Sequence, residues 1–421
     1  MSAPALPRHL IHRLPFFYGW VILACVCCAG FSRQGGAVAT LSIFVEPMTR
    51  EFGWSRTALS GAVSLGGVLA ALSAPMLGRV LDREGARLVL CGAVLLTGAA
   101  NMLLSLTGSL AMFYLLFCIA RMNFAGPFDL GIYGAVNNWF VTRRTKATSI
   151  ATVAQMFGLV ALPLIAQAAM LRGDWRSGWL AVGLAVLLVG FVPAWLLLVA
   201  RPEDVGLLPD HRASPAVTVR AAEPVFSREQ ALRTPAFWLL ALFTLFAYPV
   251  QAGVSLHQAP YLIERGLSPT IAATIVSTFS LMSGVACLGF GWFPRTWPMR
   301  YALVMIGVFL SVGTLGLLWV STARDGYLAA CVFGAGIGGL QTMLPIAWAD
   351  YFGRRSYGAI RGVALSIQVL AQASGPLLSG ILRDWSGNYN LSLQCFVVLS
   401  GLSILAALFA RQPVAIPSPG A

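Results

Sequence analysis

The stretch Gly78-Arg79-Val80-Leu81-Asp82-Arg83-Glu84-Gly85-Ala86-Arg87 sets a compact charged island between two long apolar runs. Gly78 permits close approach of two helices, Gly85 permits a tight reversal, and Asp82 can either pair with a cation or cap a helix. A turn that only carried topological charge would account for the arginines but not for the glycines or Asp82. The pattern therefore reads as a short reversal between two membrane helices, able to make an ionic latch in one conformation and break it in another.

Outward from this island the chain is almost wholly apolar. Of 421 residues 58% are apolar and 10% charged, with a net charge of +13. Soluble domains carry about 25% charge, so an ordinary globular enzyme, a disordered chain and a fibrous protein are excluded. Nucleic-acid binding needs cations gathered on one exposed face, whereas here they fall in short loops between apolar runs. Runs of about 20 apolar residues span a bilayer as helices, and the approximate spans are 17–45, 57–77, 88–108, 110–140, 147–170 and 178–200, then 235–262, 268–292, 301–321, 326–350, 363–382 and 390–410. The first run follows a leader with Arg8 and Arg13 and is too long for a cleaved signal, so it reads as an uncleaved span. The expected organisation is a six-helix bundle over 1–200, a cytoplasmic linker over 201–234 and a second six-helix bundle over 235–421. All eight cysteines fall within spans, and the Cys25/Cys28 pair has neither a second pair nor a nearby histidine. They read as packing residues rather than as a disulfide framework or a metal site.

Cationic loops are retained in the cytoplasm. With the N-terminus inside, nineteen Lys and Arg residues fall on the cytoplasmic side and seven outside, so both termini are expected in the cytoplasm. The two halves also repeat one another. Trp139-Phe140 followed by Arg143-Arg144 recurs 212 residues later as Tyr351-Phe352 followed by Arg354-Arg355, and Gly78 with Arg87 recurs as Gly291 with Arg300. Parallel repeats of this kind are related by an axis along the membrane normal, and in transporters built so the substrate binds between them near the midplane.

The G-x-x-x-D-R-x-G-x-R spacing of 78–87 resembles the cytoplasmic motif of the major facilitator superfamily, and the likeness extends over essentially the whole chain. Within it, Tyr18-Gly19-Trp20-Val21 and the stretch from Tyr351-Phe352-Gly353-Arg354-Arg355 through Gly358-Ala359-Ile360-Arg361-Gly362 resemble the monocarboxylate transporters and the bacterial oxalate:formate-antiporter-like group. The resemblance implies an all-α membrane protein of 12 transmembrane helices in two pseudo-symmetric six-helix bundles, with spans one, four, seven and ten lining the cavity. It also implies that Gly78, Asp82, Arg83, Gly85 and Arg87 form a conformational gate. One departure stands out. The charged D-x-x-x-R pair that monocarboxylate transporters carry on span eight falls here on Ser283 and Cys287, and their span-one lysine falls on Ala37.

Nineteen and seven loop cations leave Arg33 and Arg121 inside the spans, and Asp129 is the one acid deep in a span. Such charges cost about 3 kcal/mol on insertion scales and normally face a polar cavity. Arg33 precedes Gln34-Gly35-Gly36, whose small size admits backbone or substrate. Gly126-Pro127 should kink span four between Arg121 and Asp129, which lie too far apart along a regular helix to pair directly. Arg33 and Arg121 are expected to attract an anionic group, together with Asn123, Tyr133, Tyr248, Gln251 and Gln341, while Asp129 either carries a proton or serves as counter-ion to an arginine. His257 is a second candidate for proton coupling or a hydrogen-bonded structural residue. Gly334, Gly336 and Gly339 spell G-x-G-x-x-G inside an apolar helix, where they serve helix packing rather than a dinucleotide. Gly375-Pro376 and Gly380 read as packing too.

The expected function is secondary transport of small organic anions, in particular proton-coupled monocarboxylate transport by alternating access. The alternatives are an anion exchanger or exporter of amphipathic compounds of the same superfamily and, from another class, a polytopic membrane enzyme or sensor. No catalytic cluster, cofactor or metal is expected. The expected partners are a small organic anion, protons and the lipid bilayer, with no nucleic acid; the expected location is a bacterial inner membrane, and the sequence leaves the oligomeric state open, a monomer being compatible with it.

Overall fold

The computed structural model describes residues 5–211, 224–294 and 296–413. Part of the expected linker, with Arg212, Arg220 and Glu223, lies outside the described residues, as does Arg295. Among the described residues there is no strand, and 12 helices are long and apolar enough to cross a membrane. In chain order these are α1 (Gly19–Phe52), α2 (Ala58–Glu84), α3 (Ala86–Leu104), α4 (Leu110–Trp139), α5 (Arg144–Met170), α6 (Trp175–Leu197), α7 (Pro235–Glu264), α8 (Pro269–Phe290), α9 (Met299–Leu318), α10 (Ala323–Phe352), α11 (Tyr357–Ser386) and α12 (Asn390–Phe409). The chain forms two compact units, one of residues 1–222 with 354–366 and the other of 223–353 with 367–421.

Local chemistry marks the helix ends. Ser109 accepts a hydrogen bond from the Met112 amide at the start of α4, and Thr234 one from Phe237 at the start of α7, where Pro235 occupies the first turn. Thr322 and Asp325 form a capping box at the start of α10. Gly53 stops α1 with φ +68°, and Gly266, which lies 213 residues later just past the end of α7, has φ +89°. A side chain would be strained at either position.

Each unit closes the C-terminal end of its fourth helix in the same manner. Trp139 Nε1 donates to the Val199 carbonyl at 3.0 Å in the first unit, and the Tyr351 hydroxyl donates to the Ala410 carbonyl at 2.5 Å in the second. The donors stand 212 residues apart and the acceptors 211, so the sequence repeat is also a repeat of hydrogen bonding. The carbonyls lie just beyond the last turns of α6 and α12, where helix termini leave acceptors unsatisfied.

Two interruptions position charge. α1 runs helically to Arg33, tightens into a 3-10 turn over Gln34–Gly36, extends at Ala37 and resumes at Val38. Gly36 lies so close to the Ala120 carbonyl of α4 that a Cβ there would overlap it. The small residues after Arg33 thus admit neighbouring backbone. α4 breaks at Gly126, between Leu110–Ala125 and Pro127–Trp139, as the Gly-Pro pair predicts.

Three glycines of α10 touch backbone directly, and Gly339 packs against the Phe290 and Ile306 side chains. A Cβ on Gly334 would meet the Phe279 carbonyl of α8, one on Gly338 the Ser283 carbonyl, and one on Gly336 the Leu310 backbone of α9. That is the packing role expected of the G-x-G-x-x-G pattern. Gly375 packs likewise on the Pro249 carbonyl of α7, but Gly380 faces open space and the packing role expected of it is corrected.

Trp139→Phe and Tyr351→Phe each remove one buried donor from a carbonyl, a loss of about 1 kcal/mol. Each variant is expected to melt a few degrees below wild type in detergent, and the double variant by the sum, because the two bonds share no partner.

Candidate functional site

Asp129 stands in the first turn of the second half of α4, where the break at Gly126 presents a fresh helix N-terminus that favours a carboxylate. It is almost completely buried and is held by two arginines. Arg361 lies 3.1 Å from one carboxylate oxygen, and Arg33 lies 3.6 Å from the other. Arg33 also donates to the Phe124 carbonyl at 2.9 Å and to Gln155 Oε1 at 2.6 Å. Gln155 Nε2 reaches the Tyr133 hydroxyl at 3.5 Å. Arg33, Asp129 and Tyr133 are therefore one polar network, with α5 contributing Gln155.

Arg121 is joined to this network through an aromatic ring. Its guanidinium lies 4.6 Å from the Phe124 ring centroid, and that of Arg33 lies 4.7 Å from the same centroid. Its polar contact is a long 3.5 Å donation to the Gly36 carbonyl, and it makes no ion pair among the described residues. Asn123 is buried nearby in sequence, with its Nδ2 lacking a hydrogen-bond partner among the described residues. As expected from their spacing, Arg121 and Asp129 do not pair.

The structure corrects the sorting of charges. Arg361, assigned from sequence to a cytoplasmic loop, is 1% exposed on α11, because that helix starts at Tyr357 rather than near 363. Arg144, also counted as a loop cation, is 1% exposed and donates to the Phe140 and Asn137 carbonyls. Gln155 was absent from the sequence-derived site because a neutral side chain leaves no trace in charge patterning. Arg361 had one available signal: Gly353, with φ +78°, ends α10 and leaves only a few residues before the next span must begin.

The 78–87 loop resolves the choice left open for Asp82. Its carboxylate caps a helix, accepting from the Gly358 and Ala359 amides at 2.7 Å each in the first turn of α11. Gly78 and Gly358 meet so closely that a Cβ on either would strike the other's carbonyl, and Gly362 repeats the contact on Ala74. Small residues four apart on both helices produce this close crossing. Gly85 makes the reversal with φ +84°. Arg87 donates to the Trp195 carbonyl at 2.7 Å and lies over its ring, whereas Arg83 points to the exposed face.

Residues 22–376 match the sequence model of the Major Facilitator Superfamily. The chain belongs to the major facilitator superfamily. It is 29% identical over 352 residues to the membrane sensor protein UhpC of Salmonella typhimurium, covering 79% of this chain and 78% of that one. Against mouse monocarboxylate transporter 11 it is 26% identical, covering 95% and 89%. Against the oxalate:formate antiporter of Oxalobacter formigenes it is 26% identical, covering 91% and 88%. The solved structure of the proton:xylose symporter XylE bound to 6-bromo-6-deoxy-D-glucose shares the fold, with a TM-score of 0.74 at 14% identity over 94% of this chain and 96% of that one. This superfamily member is an integral membrane transporter and not an enzyme.

The superfamily chain's α8 shows why no charged pair stands there. The Ser283 carbonyl is pressed against Gly338, and the Cys287 thiol donates to the Gly338 carbonyl at 3.4 Å. An arginine has no room in that contact. The remaining candidates lie in the second unit. Tyr248 is buried beside Pro249, Gln341 is half-buried on α10, and Gln251 Oε1 accepts from Gln372 at 3.1 Å. His257 contacts Tyr389 and the Pro376 carbonyl.

Asp129→Ala would take the carboxylate away from the buried Arg361 and is expected to cost about 3–5 kcal/mol, seen as a large fall in melting temperature. Asp129→Leu combined with Arg361→Met should recover most of that loss. A single variant as stable as wild type would show that the pair contributes nothing. Gly78→Val is expected to destabilise by about 1–3 kcal/mol through the α2–α11 crossing, measured in the same melt.

Proposed function

We propose that this transporter moves small organic anions, with Arg33 and Arg121 receiving the anionic group. The observation that supports the reading is the charge imbalance: Arg33 and Arg361 share the carboxylate of Asp129, while Arg121, beside the Phe124 ring, makes no ion pair among the described residues. Buried like charges repel in a low dielectric, and an entering anion relieves that repulsion. Arg361 is committed to Asp129 by its shorter contact, so Arg33 and Arg121, which flank Phe124, are the pair left to make forked hydrogen bonds to a carboxylate. The monocarboxylate and oxalate:formate relatives support the substrate class.

The working cycle is alternating access. Gly78 and Asp82 hold the start of α11 and release it as the gate opens, Gly85 makes the reversal, Arg87 ties the loop to Trp195 of α6, and Arg83 stands on the solvent side of the loop. Tyr133 orients Arg33 through Gln155, and Asn123, Tyr248, Gln251 and Gln341 supply neutral polar contacts to the substrate. The two six-helix bundles over 1–200 and 235–421, joined by the 201–234 linker, move against each other in a bacterial inner membrane with both termini in the cytoplasm. Proton symport of a monocarboxylate is the preferred coupling.

In proteoliposomes, Arg33→Ala and Arg121→Ala are each expected to lower uptake of a labelled short-chain carboxylate at least tenfold, with the lysine variants retaining part of it. Wild-type uptake rates in both would remove the anion site. Symport predicts uptake driven by an imposed pH gradient into vesicles without internal substrate, whereas exchange requires internal anion. The likeness to a membrane sensor supports a second reading, binding without turnover. It predicts that carboxylates raise the melting temperature while neither gradient nor counterflow produces uptake.

A further inference from the structure

We propose that residues 201–211, the first part of the segment between α6 and α7, act as a strap that holds the start of α11 on the first unit, with Asp210 as its fastening. The sequence reads 201–234 as a linker, yet this part of it is bound at three separate places on the unit, to which residues 354–366 also belong. Arg201 Nη2 donates to the Asp82 carbonyl at 2.9 Å, near the end of α2. Glu203 pairs at 2.8 Å with Arg354, just before α11. Asp210 accepts from three consecutive amides between α4 and α5: Val141 at 3.0 Å and Thr142 at 2.5 Å on one oxygen, and Arg143 at 3.4 Å on the other. The partners lie 119, 151 and 69 residues away, so the contacts are tertiary and not by-products of a local turn.

Asp210 is the one non-glycine residue among the described residues with a positive φ, +60°. A side chain in that region is uncommon and costs some strain, which aspartate tolerates better than most residues. The turn offsets the strain by what it brings together. Val141, Thr142 and Arg143 lie outside any helix, so their amides have no ladder partner, and one carboxylate satisfies all three. Hydrogen bonds to an ionised acceptor are about twice as strong as neutral ones. The strap is thus held at both ends, by Arg201 and by Asp210, with Glu203 between them.

Glu203 reaches α11 through Arg354. That guanidinium also donates to the Asn138 carbonyl at 3.1 Å, and Asn138 Nδ2 donates to the Ala200 carbonyl at 3.4 Å, beside the root of the strap. Arg354 is therefore gripped between the strap and the end of α4. Four residues on, the first turn of α11 offers its Gly358 and Ala359 amides to Asp82, whose own carbonyl carries Arg201. A start of α11 that leaves Asp82 has to draw Arg354 away from Asn138 and Glu203. The Glu203–Arg354 pair is partly open to solvent and contributes little alone; the fastening at Asp210 keeps Glu203 in place. Fastened, the strap favours the state in which the start of α11 is held. A segment that only joined two bundles would need none of these contacts.

The consequence for transport rests on the gate reading above, whereas the strap itself does not, and hydrogen exchange reads the strap without any substrate. Amides in the first turn of a helix have no partner within it, so exchange at Gly358 and Ala359 reports the hold of Asp82 on α11, and exchange at 141–143 reports Asp210. Asp210→Gly removes the carboxylate but keeps a residue that adopts φ +60° freely. In the full-length protein in detergent it is expected to speed exchange at least tenfold at 141–143 and at least threefold at 358–359, with α12 unchanged. Asp210→Asn, which keeps one acceptor oxygen, should fall between wild type and the glycine variant at both places. Glu203→Ala should speed 358–359 and leave 141–143 as in wild type. Acceleration at 141–143 alone in Asp210→Gly overturns the proposal, because the segment is then a docked loop that holds nothing. So does wild-type exchange at 358–359 in Glu203→Ala, and so does equal acceleration in α12, which marks global loosening. Carboxylate uptake in proteoliposomes is read separately: a wild type that moves none removes the transport reading, while the exchange rates still decide the strap.

Discussion

One buried carboxylate carries the electrostatics of the first unit. Asp129 neutralises Arg361 at 3.1 Å and reaches Arg33 at 3.6 Å, in a region where water cannot screen either cation. A guanidinium there retains its charge at any physiological pH, so the neighbouring backbone must be arranged around it. The break in α4 places the carboxylate on a helix N-terminus, the break in α1 ends its first segment at Arg33, and the start of α11 brings Arg361 inward. None of these irregularities stabilises a helix by itself. Together they accommodate three cations and one anion that the bilayer would otherwise disfavour.

The same economy governs close contacts. Where helices must approach within backbone distance, glycine appears in facing positions: Gly78 with Gly358, Gly362 with Ala74, and Gly334 and Gly338 along α8. In a membrane these contacts gain from van der Waals packing rather than from expulsion of water, so a missing side chain is as informative as a present one. Asp82 joins this packing to electrostatics, because its carboxylate caps the helix whose glycines it adjoins. The two carboxylates Asp82 and Asp129 thus hold one helix start by two means, amide capping and ion pairing.

Much of this was legible along the chain. Hydropathy alone marks the helices, since a bilayer demands about 20 apolar residues per crossing. The repeat at an offset of 212 reappears as the matched bonds of Trp139 and Tyr351. The Gly126-Pro127 break followed from proline geometry, and the exceptional placement of Arg33 and Asp129 within spans from the cost of charge in an apolar run. What escaped were Arg361 and Gln155. A cation near a helix start looks like a loop cation until the start is known, and a glutamine about three turns into an apolar helix is cheap enough to carry no signal. Arg144 escaped for the first of these reasons.

The sequence by itself determined that the chain crosses a membrane many times, where the helices lie, which family the loop motif resembles and which charges are out of place. These follow from local composition, because the bilayer imposes its length and polarity on each segment separately. Only the tertiary structure decided that Asp129 serves two arginines, that Asp82 caps rather than pairs, and that His257 sits between a carbonyl and a hydroxyl beside an unsatisfied amide. Those outcomes depend on which distant residues converge. A hydrogen bond spans about 3 Å whatever the separation in sequence, so partners more than a hundred residues apart leave no pattern in the linear chain.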